Sequence, residues 1–315
     1  MSAMRETMWR QPDDLRRVLS DPAPAQRAAE RIAGRRVLLC GTGTSWHAAC
    51  HGAALLRLAG LEAWAVQADE SVLHGPAAAA DDALVLLSHR GTKHYTGEAL
   101  ARARDAGAST VQISSIGAPG ADIETCEPER SSAFTSSHLC AVARLCQIAS
   151  ALGAELGALG DLPDAVAAEL DDPALDVPPP ARLLQYVGSG GNAWTAAEGA
   201  LKVRETAYVA SAGYSMEYLL HGPSVAVGEG DALVALDGGG PASERLAVVA
   251  DACEGHGARV HRFRRDALGE PLSIFPLTAI VQRIALEAAE RTGSDPDTFG
   301  KDLPGRAQVW AKIGL

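Results

Sequence analysis

Hydrophobic residues in this chain fall into two textures: short apolar runs that stop at glycine- or serine-rich turns, and longer alanine-rich stretches with a helical recurrence. Val37-Leu38-Leu39-Cys40 stops at Gly41-Thr42-Gly43 and opens the stretch Ala49-Cys50-His51-Gly52-Ala53. A second run, Leu84 to Leu87, ends at another polar turn. Residues 99–106 then read as a crossover helix before a strand over Ser109 to Ile113. This alternation is the grammar of βαβ units and predicts a parallel sheet.

The pattern occurs twice. Leu184-Gln185-Tyr186-Val187-Gly188-Ser189-Gly190 and Ala196-Ala197-Glu198-Gly199-Ala200 repeat the first strand, turn and helix at an offset of 147. Leu73-His74-Gly75-Pro76 returns as Leu220-His221-Gly222-Pro223 at the same offset. Asp82-Ala83-Leu84-Val85 returns as Asp231-Ala232-Leu233-Val234 at 149, and Gly107-Ala108 as Gly257-Ala258 at 150. Matches kept in order with so little drift define an internal repeat, which fixes architecture before any single residue is interpreted. In the second copy the crossover helix falls at Arg245 to Cys253 and the strand after it at Ala258 to Phe263. The fold class is therefore α/β, with two tandem doubly wound parallel-sheet domains, each a three-layer α/β/α arrangement. Proline punctuation between Leu156 and Pro180 marks the boundary. The expected layout is a lead-in helix over 1–24, a first domain over 25–160, and a second domain with a C-terminal tail over 175–315.

Composition narrows the function. The 315 residues are 47% hydrophobic and 21% charged, enough to bury large cores. The net charge of −11, from 28 basic and 39 acidic residues, disfavours nucleic-acid binding by bulk charge, so an anionic ligand must be held locally. No apolar run follows a basic start in residues 1–10, and no uncharged apolar stretch of membrane-spanning length is evident. The chain reads as cytoplasmic, with no membrane partner. Six scattered cysteines without a CxxC pair suggest buried thiols and neither a metal site nor a disulfide framework.

Strand ends in such a sheet meet helix N-termini, whose N–H groups favour anions. Gly43, Thr44 and Ser45 occupy one such turn, and Ser88, His89, Arg90, Gly91, Thr92 and Lys93 another. Together they offer hydroxyls, amides and two cations, and Ser45, Ser88, Arg90 and Lys93 are expected to converge on one phosphate. The alternative is a tight turn with solvated cations. A nucleotide is disfavoured, because neither the third glycine of a dinucleotide fingerprint nor a Walker sequence is present. The second copy's turns, Gly188 to Asn192 and Asp237 to Gly240, lack basic residues and place a carboxylate at the strand end. Glu198, Lys202 and Glu205 stand four and three residues apart and share one helix face, either as catalytic groups or as a surface ion-pair stripe. His221 either serves chemistry or, like its echo His74, simply shapes the turn before a strand.

At these residues the chain resembles the double sugar-isomerase (SIS) family, in particular the isomerase half of glucosamine-6-phosphate synthases. The likeness covers Met4-Arg5-Glu6 through Gln11-Pro12, Gly43-Thr44-Ser45, Ser88-x-x-Gly91, Ala133-Phe134-Thr135, Glu198-Gly199-Ala200-Leu201-Lys202-x-x-Glu205 and His221-Gly222-Pro223. It implies that Glu205 moves a proton between C1 and C2, that Lys202 assists charge placement, and that His221 opens the sugar ring, reaching the site of a neighbouring subunit in a homodimer. It adds Ser131 and Ser132 to the substrate-binding set and calls for no cofactor and no metal. His89, Arg90, Thr92 and Lys93 depart from the family's Ser-Gln-Ser-Gly-Glu-Thr turn, so the sugar can differ. Pro304 replaces the tail lysine, leaving Lys301 or Lys312 as stand-ins. The glutaminase half is missing from the sequence, which implies that this chain does not draw ammonia from glutamine by itself. The expected function is a sugar-phosphate or amino-sugar-phosphate isomerase or deaminase. The alternatives are a non-catalytic sugar-phosphate sensor, or a synthase subunit supplied with ammonia by a separate glutaminase.

Overall fold

The glycine-ended apolar runs become central strands in the computed structural model, which describes residues 1–301 and 303–313. The chain divides into an N-terminal unit, Arg10–Pro128 with Ser136–Asp164, and a C-terminal unit, Met1–Trp9, Glu129–Thr135 and the chain from Ala165 onward. In chain order the first half runs α1 (Ala3–Ser20), α2 (Ala23–Ile32), β1 (Val37–Gly41), α3 (Thr44–Leu58), β2 (Ala63–Gln67), α4 (Ala68–Leu73), β3 (Ala83–Leu87), α5 (His94–Asp105), β4 (Ser109–Ser114), β5 (Ile123–Glu124) and α6 (Ser136–Ala151). After α7 (Leu162–Asp171) come β6 (Leu184–Gly188), α8 (Asn192–Thr206), β7 (Ser211–Ser215), α9 (Met216–Leu220), β8 (Ala232–Asp237), α10 (Ser243–Gly255), β9 (Arg259–Arg264), α11 (Glu270–Thr292) and α12 (Arg306–Ile313).

Both sheets are parallel, ordered β2-β1-β3-β4-β5 and β7-β6-β8-β9. Helices cover both faces of each, which is why the central strands read as continuous apolar runs. In the N-terminal unit Leu38, Cys40, Leu84 and Leu86 pack with Val72, Ala99, Leu100 and Ala103 of α4 and α5. On the opposite face α3 lies close to Leu39 and to Leu145 of α6, an approach that leaves no room for a side chain at Gly52. The C-terminal unit repeats the device: Gly199 of α8 sits between Tyr186 of β6 and Val281 of α11. Val187, Leu233 and Ala235 face α9 and α10. Lost side-chain volume at these glycines is the physical content of the repeat.

Three features escape the hydrophobic pattern. The edge strands β2 and β7 carry no long apolar run; Trp64 is exposed and β7 is Ser-Ala-Gly-Tyr-Ser, buried at its first residue only. The lead-in is two helices, α1 and α2. Finally, α11 is long and apolar enough by composition to cross a membrane, with a mean hydropathy of 1.4 over its most apolar window, yet 94% of that window is buried inside the protein. Arg283 and Glu287 interrupt the uncharged run within it, pairing with each other at 2.6 Å.

Candidate functional site

The strand order reverses between β1 and β3 in the first sheet and between β6 and β8 in the second, the positions where open α/β sheets bind ligands. Cys40 is in register with Leu86, so the turns after β1 and β3 leave the same sheet edge side by side. This brings Gly43, Thr44 and Ser45 to the same edge as Ser88, His89, Arg90, Gly91, Thr92 and Lys93. Thr44, Ser88 and His89 are buried, Ser45 and Gly91 half-buried, and Arg90, Thr92 and Lys93 exposed. Ser88 receives the Gly91 N–H on its carbonyl at 3.2 Å, and Ser115 N–H donates to the His89 carbonyl at 2.9 Å. Neither α3 nor α5 carries a side-chain N-cap. Those helix starts favour an anion through the positive end of the helix dipole. Hydroxyls and amides thus lie inside the turns, with Arg90 and Lys93 at the rim.

The catalytic-helix residues lie in the C-terminal unit. Glu198, Lys202 and Glu205 share one face of α8, but this face is interior and no surface stripe: Lys202 is 1% exposed and Glu198 0%. Lys202 Nζ donates to Glu205 Oε2 at 2.5 Å and lies 3.5 Å from Glu198 Oε1. Glu205 keeps 10% of its side-chain surface open, so it is the carboxylate of the pair that solvent or a small ligand can touch. Burial on its own would pull the Lys202 ammonium down. The nearby carboxylates of Glu198, Glu205 and Glu129 outweigh that and hold it above the ordinary lysine range.

Glu129 is the residue that sequence reasoning missed. It is 3% exposed and accepts the Thr135 N–H at 2.9 Å and the Thr135 hydroxyl at 3.2 Å. Gln282 Nε2 of α11 donates to the Thr135 carbonyl at 3.3 Å. A segment of irregular chain, 129–135, therefore brings a third carboxylate into the field of Lys202. No periodicity marks it; Ala133-Phe134-Thr135 was its one sequence signal.

Ser131 and Ser132 belong to the C-terminal unit, whereas the Gly43–Ser45 and Ser88–Lys93 turns belong to the N-terminal unit. Ser131 is fully buried; its Oγ donates to the Pro296 carbonyl at 3.4 Å and accepts the Ala133 N–H at 3.2 Å. Ser132 N–H donates to the Asp297 carbonyl at 2.9 Å. His221 caps α9 at the surface, 80% exposed, with Nε2 3.6 Å from Glu217 Oε2. Lys301 and Lys312 are both exposed.

The N-terminal unit thus carries a pair of strand-end turns with hydroxyls and two cations, and the C-terminal unit a helix with a buried lysine–carboxylate cluster. Known proteins share features with this chain. The chain is 27% identical over 261 residues to the glutamine–fructose-6-phosphate aminotransferase (isomerizing) of Chlorobaculum tepidum, covering 72% of this chain and 42% of that protein. It is 29% identical over 240 residues to its counterpart in Aeropyrum pernix, covering 68% and 39%. The chain thus spans about two fifths of the length of the curated relatives it matches. Among solved structures, the C-terminal domain of glucosamine-fructose-6-phosphate aminotransferase from Francisella tularensis superposes with a TM-score of 0.80 at 17% identity, covering 94% of this chain and 98% of that one. Tagatose-6-phosphate ketose/aldose isomerase from Escherichia coli gives 0.80 at 20% identity, covering 94% and 95%. Glucosamine-6-phosphate deaminase from Thermotoga maritima gives 0.78 at 19%, covering 94% and 97%. No protein-family model matches the chain. The likeness to the sugar-isomerase family read from the motifs stands, and the fold is the one these proteins share.

Proposed function

We propose that this protein is a phosphosugar enzyme that moves a proton between C1 and C2 of a sugar phosphate or amino-sugar phosphate, with isomerisation or deamination as the outcome. The observation that carries the reading is the pairing of Glu205 with a fully buried Lys202 on α8. A carboxylate paired with an ammonium, with part of its surface open, is suited to act as a general base. Glu205 takes the proton from one carbon and returns it to its neighbour; the Lys202 ammonium fixes the carboxylate and balances charge as the enediol or enolamine forms. The phosphate is assigned to the Gly43–Ser45 and Ser88–Lys93 turns. The matched aminotransferases, isomerase and deaminase all have names that put a sugar phosphate in this chemistry. The same reading carries the two tandem sugar-isomerase domains, over 25–160 and 175–315, a homodimer in which His221 serves the neighbouring subunit, and cytoplasmic action; ammonia from a separate glutaminase belongs to the alternative reading of a synthase subunit.

The test is deuterium wash-in at C2 of hexose 6-phosphates and their 2-amino forms. The wild type should exchange with at least one of them, and Glu205→Gln, which keeps shape and deletes basicity, should lose about 10²–10⁴-fold in exchange rate with binding nearly intact. Equal rates would clear Glu205 of the role. A wild type that binds a sugar phosphate tightly yet exchanges nothing is the non-catalytic sensor.

A further inference from the structure

The turn after the first strand of each half carries a glycine of matching φ, but in different chemistry. Gly43 and Gly190 are repeat equivalents, and both turn with positive φ, 58° and 55°. At Gly43 the space where a side chain would stand is open, with no atom within 4 Å. At Gly190 it is filled, because Glu270 Oε1 lies 2.7 Å from the position a Cβ would take. Both oxygens of the same carboxylate crowd the corresponding position at Gly240. Glu270, at the start of α11, is thus wedged between the turns that close β6 and β8, and only glycines admit it there.

The wedge is anchored. Ser273 Oγ donates to the Glu270 carbonyl at 2.7 Å and accepts from the buried Asn192 Nδ2, at the start of α8, at 2.9 Å. A second carboxylate takes up the donors an incoming anion would need: Asp237 Oδ1 accepts the Gly239 N–H at 2.8 Å and the Ser243 hydroxyl at 2.6 Å. In the repeat Asp237 stands where the first copy has Ser88. The first turn pair is rimmed by Arg90 and Lys93 and open at Gly43, though Gln112 Nε2 and the Pro119 carbonyl lie 3.1 and 3.2 Å from the Cβ position at Gly91; its counterpart holds two negative charges of its own, which repel any further anion.

We propose that Glu270 and Asp237 are built-in anions that fill the second strand-end cradle, so that the chain holds a phosphate group only at the Gly43 turn, and that their removal uncovers a latent phosphate site between β6 and β8. This rests on the reading that the Gly43 turn takes phosphate, and the experiment separates the two. Equilibrium dialysis of the full chain with radiolabelled inorganic phosphate should give one equivalent for wild type, abolished by Arg90→Ala. Asp237→Ser with Glu270→Ala, which copies Ser88 and opens the space at Gly190, should bind two, and adding Arg90→Ala should leave one. Glu270→Gln keeps the wedge's shape and should stay at one. Glu270→Ala alone, a single truncation at a half-buried helix start, should show the second equivalent at least tenfold more weakly than the double variant; near-UV circular dichroism reports that each variant is folded. Two equivalents in wild type, or no gain in folded Glu270→Ala and in the double variant, overturns the inference. A wild type binding none while the double variant binds one overturns the reading of the Gly43 turn alone.

Discussion

At the scale of single residues, Lys202 decides what α8 can be. A buried ammonium is tolerated because Glu205 and Glu198 surround it, and each of those carboxylates is tolerated because of Lys202. Lys202→Met should leave both carboxylates without their partner and lower unfolding free energy by about 3–5 kcal/mol in urea titration. The pH dependence has a definite sign. The folded protein holds the Lys202 ammonium above its ordinary value of 10.5, so its contribution is complete below that value and is lost as pH rises through the higher folded value. The stability gap between wild type and Lys202→Met should accordingly narrow as pH rises into strong alkali. The four-and-three spacing made the shared helix face legible. It could not say that the face was interior, since a solvated ion-pair stripe has the same spacing. Glu129 was invisible, because its place near Lys202 depends on a seven-residue irregular segment and on Gln282, more than a hundred positions away.

At the scale of elements, the repeat extends to the foot of each sheet. Arg36, just before β1, makes two hydrogen bonds to Asp82 before β3, at 2.9 and 2.6 Å, and Asp82 also accepts the Ala79 N–H. Arg182, before β6, does the same to Asp231 before β8, at 2.9 and 2.8 Å, with the Gly228 N–H as the third donor. Each clamp ties two neighbouring parallel strands at their amino ends. The arginine hydrogen bonds hold both aspartates below the ordinary carboxylate range. A depressed folded value means the stabilisation is present above the unfolded value, about pH 4, and is lost as pH falls through the folded one. Asp82→Asn and Asp231→Asn should each cost about 1–3 kcal/mol at neutral pH, and each should flatten the acid limb of the stability curve. The same scale shows why central strands were easier to read than edges. Strands buried on both faces must be continuously apolar, whereas β2 and β7 mix exposed and small residues and leave no run to find.

At the scale of the whole molecule, His221 offers the sharpest test of assembly. Its imidazole stands at the surface, far more open than the buried groups of α8. If it completes a neighbouring subunit's site in a homodimer, His221→Ala and Glu205→Gln are each inactive alone yet complement each other when mixed, because a hybrid dimer contains one site with both residues intact. Recovered C2 exchange of up to about a quarter of the wild-type rate after subunit mixing, followed beside sedimentation velocity, is the expected result for random exchange of chains with one site per subunit. A mixture no more active than its components would place His221 in service of its own chain.

The sequence by itself determined whatever is written in short-range pattern. Glycine-ended apolar runs specify parallel strands, an offset near 147 specifies two copies of one unit, and i, i+3 and i+4 spacing places Glu198, Lys202 and Glu205 on one face. These follow from backbone geometry that a few neighbouring residues control. Only the tertiary structure decided which groups become buried and which distant ones meet. It turned α11 into a core helix despite a membrane-like composition, set Glu129 and Thr135 beside each other in the field of Lys202, and pressed Glu270 into the glycine turns of the second copy. The physical reason is common to all three: electrostatic fields and steric exclusion act through space. The repeat that made both cradles look alike in sequence could not show that a carboxylate thirty residues beyond β8 already fills one of them.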